Sequence, residues 1–152
     1  MKIEILHDDQ DARVEISPAQ KLLRLTWKQP NTGEAYRSLL SRVIDVVGER
    51  KLKLWLSDGR KAGPILYDDQ VWTTQEFMPR VLAAGLVRIA IVNSEDGLNL
   101  MAVDRMVNAT PVDAPYSIGF FEDPSIGQLW LMDPSKSKVG NSAPPASSST
   151  GD

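Results

Sequence analysis

Two short polar segments, each following an apolar run, carry the side chains of this chain that are best suited to chemistry. Their candidate members are Ser57, Asp58, Arg60, Lys61, Ser94 and Asp96. Hydroxyls, carboxylates and cations of this kind bind partners or small ligands, and open α/β sheets bind ligands at the carboxyl ends of their strands. The sequence therefore predicts a partner- or ligand-binding site formed by these residues.

Structural roles compete with binding in both segments. Asp58 can accept hydrogen bonds from its own loop or pair with Arg60, and residues 93–97 can cap the helix that follows them. Gly59 and Gly63 permit close approach, but the Gly-x-x-x-x-Gly-Lys-Ser/Thr pattern of a phosphate loop is missing. A hydrolase or transferase would require the two segments to converge on a cleft that holds a titratable group with a shifted pKa.

The sequence contains no recognisable set of catalytic or metal-binding residues. The chain has one histidine, His7, and no cysteine, so a Ser-His-Asp triad would need His7 and the usual zinc ligands cannot be assembled. His7 lies beside Asp8 and Asp9, which we interpret as part of a mobile, solvated charge run. The other acidic pair, Asp68 and Asp69, is typical of a helix N-terminus. We expect no enzymatic activity, no cofactor and no metal.

Composition narrows the class of protein. The 152 residues are 42% hydrophobic and 24% charged, with 17 basic and 20 acidic side chains and a net charge of −3. This is typical of an ordinary globular domain and gives no broad positive field for nucleic acid. No segment reaches the roughly 20 apolar residues of a membrane span, and the acidic N-terminal segment is unlike a signal peptide. Because there is no cysteine to oxidise, we expect a cytoplasmic protein.

Apolar patterns alternate between strand and helix along the chain. Residues 12–27 predict a hairpin with a Ser-Pro turn, preceded by a short edge strand around Ile5. Further strands are predicted at 52–56, 86–92 and 117–121. In the first of these, Trp55 lies on the opposite face from Leu54 and Leu56, and a strand covered on both faces would bury all three. Helical spacing predicts helices within 31–48, 68–82, 98–107 and 123–132, the second of them kinked or split by Pro79. The last helix is expected to pack through Leu129, Trp130 and Met132.

This alternation predicts an α/β fold with a mixed, mostly parallel sheet, an N-terminal hairpin and about four helices on both faces. Residues 1–132 form the predicted domain. Residues 133–152 contain no aromatic residue and one branched aliphatic residue, Val139. Such a segment cannot bury enough apolar surface to offset its ordering entropy, which predicts a disordered C-terminal tail.

Large apolar side chains on the predicted helices have two interpretations. They are Trp72, Phe77, Met78, Met101 and Met106. In the first interpretation they pack in the core, because aromatic residues supply much of the burial of a small domain. In the second interpretation they line a cavity between the helices and the sheet.

The order of elements resembles the STAS domain (sulfate transporter and anti-sigma factor antagonist) and its lipid-binding bacterial relatives. Residues 54–60, Trp72 with residues 77–86, and residues 88–92 carry the resemblance, which spans roughly residues 12–132. It implies a STAS-like fold and a non-catalytic regulatory module. Antagonists of that family carry a phosphorylated serine in an Asp-Ser motif. Here the order is Ser57-Asp58, so the resemblance does not extend to a phosphorylation switch.

Two functions follow as expectations. The first is a non-catalytic regulatory or protein-interaction module that binds a protein partner and forms a homodimer through the hairpin or an exposed helix face. The alternative is a protein that binds a small apolar molecule or a lipid. Neither function involves nucleic acid or a membrane span.

Overall fold

Six strands pair in the order in which they occur in the chain. The computed structural model describes residues 2–133. Its strands are β1 (Glu4–Asp8), β2 (Ala12–Ser17), β3 (Leu22–Trp27), β4 (Leu54–Asp58), β5 (Arg88–Val92) and β6 (Ser117–Phe121). The pairs β1–β2 and β2–β3 are antiparallel, and the three pairs from β3 to β6 are parallel. The predicted mixed sheet with an N-terminal hairpin is confirmed.

Helices connect the parallel strands and follow the last one. They are α1 (Gly33–Glu49), α2 (Tyr67–Trp72), α3 (Met78–Ala83), α4 (Gly97–Asn108) and α5 (Pro124–Met132). A π-helical turn, Thr73–Phe77, joins α2 to α3. The break predicted from Pro79 takes this form, since Pro79 lies in the first turn of α3, where a missing N–H is tolerated. Within residues 2–133, no helix combines the length and apolarity needed to cross a bilayer.

The strand order decides which face each helix covers. Because the order never reverses, right-handed crossovers place α1, the α2–α3 run and α4 on one face of the sheet. Their core includes Val43, Val81 and Val107 packed on strand residues such as Leu25 and Trp55. We call this the crossover face.

The opposite face is covered by α5, and we call it the α5 face. Its smaller core joins Trp130 and Leu131 to Leu54, Leu56 and other strand residues. Both faces of β4 are thus buried, as the sequence predicts for a two-sided strand. One expectation is wrong on this face: Leu129 was expected to pack, but it is 67% exposed.

The N-terminal acidic segment is ordered, contrary to expectation. His7 pairs with Val14 in the β1–β2 ladder, and its Nε2 lies 2.9 Å from Asp9 Oδ2. Arg42 NH1 lies 3.2 Å from His7 Nδ1, so the ring bridges β1 and α1. At the other end, the tail predicted for residues 133–152 begins at the last described residue, and the rest of that prediction lies outside the described residues.

Asp69 ties α2 to the start of α1. Its carboxylate is 1% exposed; Oδ2 accepts the Gly33 N–H at 2.8 Å and Oδ1 accepts Arg37 Nε at 2.9 Å. Thr32, the residue before α1, makes no side-chain capping bond, so Asp69 satisfies the first orphan N–H of that helix from outside. Asp68 and Asp69 lie in the first turn of α2, as expected of an acidic pair at a helix N-terminus, but the Asp69 carboxylate caps α1 and not its own helix.

We predict that Asp69→Ala lowers the free energy of unfolding by about 2–4 kcal/mol, because it leaves a buried N–H without an acceptor and Arg37 without its partner. The matched control is Asp68→Ala at the exposed neighbouring position, which should change stability by about 0.5 kcal/mol or less. Chemical denaturation of both variants measures the difference. Equal effects at the two positions would contradict this role of Asp69.

Candidate functional site

The loops after β4 and β5 lie against each other at the carboxyl edge of the sheet. The Gly59 N–H donates to the Val92 carbonyl at 3.1 Å, and Ser94 Oγ donates to the Ala62 carbonyl at 2.5 Å. Asn99 Nδ2 extends the contact to the Gly63 carbonyl at 2.8 Å. The two polar segments found in the sequence are therefore brought together, but their side chains separate onto different faces.

Asp58 lies on the α5 face and is held by two arginines. Arg60 donates from Nε to Oδ1 at 3.0 Å and from NH2 to Oδ2 at 2.9 Å, and Arg24 NH2 approaches Oδ2 at 3.4 Å. Burial raises the pKa of Asp58, but the hydrogen bonds and charge of Arg60, with the charge of Arg24, outweigh it and hold that pKa below its ordinary value of 3.8. This ionised carboxylate is fully engaged, in line with the structural role considered for it.

Lys61, Ser94 and Asp96 have structural or solvated positions. Lys61 is 66% exposed, and its Nζ lies 3.8 Å from Glu95 Oε1. Asp96 is the N-cap of α4 and accepts the Asn99 N–H at 3.0 Å, as the capping hypothesis predicts. Ser94 holds the two loops together and also lines a cavity that Ser57 shares. Of the six predicted residues, Ser57 and Ser94 line this cavity and the other four do not.

Ser57 lies on the crossover face, where the sheet and the helices border a cavity of about 170 Å³. β4 and β5 form the floor, and α3 and α4 form much of the opposite wall. The principal lining residues are Trp55, Ser57, Ile89, Ile91, Asn93, Tyr36, Phe77, Met78, Val81, Val103 and Met106. The cavity thus lies between the sheet and the helices of the crossover face.

Core packing and a cavity wall were both open interpretations of the large apolar residues on these helices. Phe77, Met78 and Met106 line the cavity, and Phe77 also belongs to the buried core. Met101 does not line it, because it lies on the outer side of α4 and is 57% exposed. Trp72 lies behind the wall, where its ring stacks on Phe77 with centroids 5.7 Å apart. Helical spacing predicted the helices, but not which residues of each helix meet the sheet.

Among the described residues, no charged side chain lines the cavity. Its polar groups are hydroxyls, amides and an indole. The Tyr36 hydroxyl lies 2.8 Å from Thr73 Oγ1, and burial raises the pKa of Tyr36 to about 12, against a lowering by the Thr73 hydrogen bond. Tyr36 is therefore a neutral phenol at physiological pH, and the cavity offers no counterion.

Three lining residues carry a buried polar atom without a hydrogen-bond partner among residues 2–133. They are Trp55 at Nε1, Asn93 at Oδ1 and Thr110 at Oγ1. Trp55 and Asn93 are each 6% exposed, and Thr110 is 8% exposed. An unpaired buried group costs about 1–3 kcal/mol, so these atoms are better satisfied when something else occupies the site. The sequence placed Asn93 in a loop that caps α4. No apolar periodicity in the sequence indicated that its side chain would line a cavity.

Comparison with protein-family models, with curated proteins and with solved structures gives no match. The STAS resemblance stays a prediction from the sequence. The site must accordingly be interpreted from its own geometry. Ligands of open α/β sheets bind where the strand order reverses; this sheet has no reversal, so its cavity lies beneath the helices instead of in a crevice between them.

We predict that Asp58 contributes stability above the acid range and loses it at low pH. Its pKa is lower in the folded state than the ordinary value, so the contribution is complete above that value and disappears as pH falls through the folded pKa. The stability advantage of the wild type over Asp58→Asn should therefore shrink between about pH 5 and pH 2. Denaturant unfolding across this range measures it.

The control for this measurement is Asp113→Asn, at an exposed position in a turn. The difference between that variant and the wild type should vary little with pH. An Asp58→Asn difference that is constant down to pH 2 would rule out the ionised Asp58–Arg60 pair.

Proposed function

We propose that this domain binds a small, uncharged, largely apolar molecule in the cavity on the crossover face. The observation that carries the proposal is the cavity itself, lined mainly by aliphatic and aromatic side chains. Pockets of this character, with a few polar groups that fix orientation, are the usual small-molecule sites of proteins. The proposal corresponds to the alternative function expected from the sequence.

Cavity volume supports a compact ligand. A volume of about 170 Å³ is close to the roughly 150 Å³ of an engineered apolar cavity that binds benzene or xenon. A molecule with one ring therefore fits, whereas a long acyl chain does not fit without opening the helical layer. Within the expected class of small apolar ligands and lipids, the volume favours the small ligands.

Lack of charge in the lining supports an uncharged ligand. Moving an ion out of water costs several kcal/mol unless a counterion compensates. The buried carboxylates Asp58 and Asp69 do not line the cavity, and they are paired with Arg60 and Arg37. The same absence supports a non-catalytic role, because general acid–base chemistry needs a titratable group within reach of the ligand.

We also propose a cytoplasmic location, since a chain without cysteine needs no oxidising compartment to fold.

Toluene tests the proposal, and we predict saturable binding by calorimetry together with a rise in melting temperature that depends on toluene concentration. Val103→Trp should abolish both effects, because Val103 lines the cavity from α4 and a larger side chain occupies the space. The matched control is Met101→Trp on the exposed side of the same helix, which should bind like the wild type. Absence of binding by both toluene and its hydroxyl analogue phenol would reject the proposal.

A second candidate function is a regulatory module that acts through contact with a second copy of the chain. It is favoured by exposed apolar side chains on adjacent helices: Leu98 and Met101 on α4 are 63% and 57% exposed, and Tyr67 on α2 is 76% exposed. A bond of 3.1 Å from Arg105 NH2 to Gln70 Oε1 joins these two helices. Apolar side chains grouped in this way are typical of interaction surfaces.

We predict for this second function that the average mass in sedimentation equilibrium rises with protein concentration, and that the double variant Leu98→Lys/Met101→Lys remains monomeric. The introduced lysines would repel the same lysines of the second copy, and their charges would have to lose water when the two surfaces meet. Val112→Lys, at a fully exposed position away from α4, serves as the control. A wild type that is monomeric at every concentration would exclude self-association.

A further inference from the structure

We propose that the ligand carries an uncharged hydroxyl group, held at the carboxyl edge of the sheet by Asn93 and Ser57, with its apolar ring over Ile91. This inference rests on the proposed ligand-binding function and specifies the chemical class: a phenol or another one-ring alcohol. Three observations support it, namely the orientation of the Asn93 amide, the position of Ser57 and the uncharged lining.

The Asn93 amide is held in one orientation. Its Nδ2 donates to Glu122 Oε2 at 2.7 Å, and the backbone N–H of Asn93 donates to the Phe121 carbonyl at 2.9 Å. Because a carboxylate accepts only from the NH₂ side of the amide, Oδ1 is the atom left over. This carbonyl oxygen has no partner among the described residues, and it accepts hydrogen bonds only. It therefore selects a ligand group that donates.

Ser57 supplies the complementary partner. In the parallel β4–β5 ladder, Ser57 is opposite Ile91, and Asn93 is two residues beyond Ile91, so all three residues share the crossover face. The hydroxyl of Ser57 is given no hydrogen bond by residues 2–133, and Ser57 and Asn93 both line the cavity. A serine hydroxyl both donates and accepts. A ligand hydroxyl can accordingly donate to Asn93 Oδ1 and accept from Ser57 Oγ.

Two further unpaired polar atoms belong to the lining, Trp55 Nε1 and Thr110 Oγ1. Thr110 follows the C-terminal end of α4, whereas Asn93 precedes its N-terminal end. The indole of Trp55 does not serve the same group as Asn93 either. Trp55 is opposite Ile89 in the β4–β5 ladder. Ile89 lies four residues before Asn93, so the two backbone positions are roughly 13 Å apart along the strand, at about 3.3 Å per residue. A ligand with one ring reaches one end of this distance at a time. The paired hydrogen-bonding groups at the Asn93 end make it the polar end, while Trp55 packs edge-on against Phe77 at 6.1 Å as part of the apolar wall.

Phenol and toluene separate this proposal from simple hydrophobic binding. The two molecules have nearly the same shape, and they differ by a hydroxyl in place of a methyl group. A dry cavity without hydrogen-bond partners disfavours phenol, because its hydroxyl loses its bonds to water. A site with unpaired hydrogen-bonding groups favours phenol, because the phenol hydroxyl pairs with buried groups that otherwise have no partner. Benzoate adds a charge to the same ring and should be rejected for lack of a counterion.

The experiment is calorimetric titration of the full chain at pH 7 with phenol, toluene and benzoate, supported by nuclear magnetic resonance shifts of the Ser57 and Asn93 amides. We expect phenol to bind at least as tightly as toluene, and benzoate at least a hundredfold more weakly than phenol. Asn93→Leu should weaken phenol binding about tenfold and change toluene binding less than threefold. Ser57→Ala, which removes a single hydroxyl and leaves the Glu122 bond intact, should lower the phenol-to-toluene affinity ratio in the same direction.

The outcomes distinguish this inference from the function on which it rests. Failure of both phenol and toluene to bind rejects the ligand-binding function itself. Toluene binding without phenol binding leaves that function standing and overturns the hydroxyl specificity. A phenol-to-toluene ratio unchanged in Asn93→Leu and Ser57→Ala also overturns it, since an ordered water then satisfies Asn93 Oδ1. A ratio that falls in both variants supports the assignment.

Discussion

The arrangement of this protein depends on one topological constraint: its parallel strands follow one another across the sheet without reversing direction. Right-handed crossovers then have a single face available to them, so α1, the α2–α3 run and α4 all pack on that face, and α5 alone is left for the other. The three helical segments of this one layer differ in length, and the sheet beneath them is twisted. The cavity lies between these helices and the sheet, and the loops after β4 and β5 complete its lining.

The same constraint sorts the charged groups. Strand residues alternate between faces, so Asp58 is directed to the α5 face, where Arg24 and Arg60 neutralise it, and Ser57, one residue earlier, is directed to the cavity. At the outer end of the helical layer, Asp69 is neutralised by Arg37 and the Gly33 N–H. Each buried charge has its partner outside the cavity. What remains inside is a surface of apolar and neutral polar groups.

That surface is not equally satisfied throughout. Most of its polar groups have protein partners, as the Tyr36–Thr73 pair shows, yet Asn93 Oδ1, Trp55 Nε1 and Thr110 Oγ1 have none among the described residues. Buried polar groups in folded proteins are overwhelmingly paired. The π-helical turn Thr73–Phe77 in the adjacent wall is a second local irregularity, of a kind often found at functional sites. These features are grouped around one cavity, and the ligand-binding proposal accounts for them together.

The sequence by itself determined the elements and their class. Period-two alternation at residues 12–27, the two-sided burial of Trp55 between Leu54 and Leu56, and the capping role of Asp96 are all found in the structure, because each depends on neighbours within a few residues. It also singled out Phe77, Met78 and Met106, with core packing and a cavity wall as the two interpretations. Tertiary structure alone decided that Asp69 would cap α1, that Met101 would face outward, and that Ser57 and Asp58 would separate onto opposite faces. Those outcomes depend on contacts between elements distant in the chain, and the strand order that sets them has no local signal in the residues.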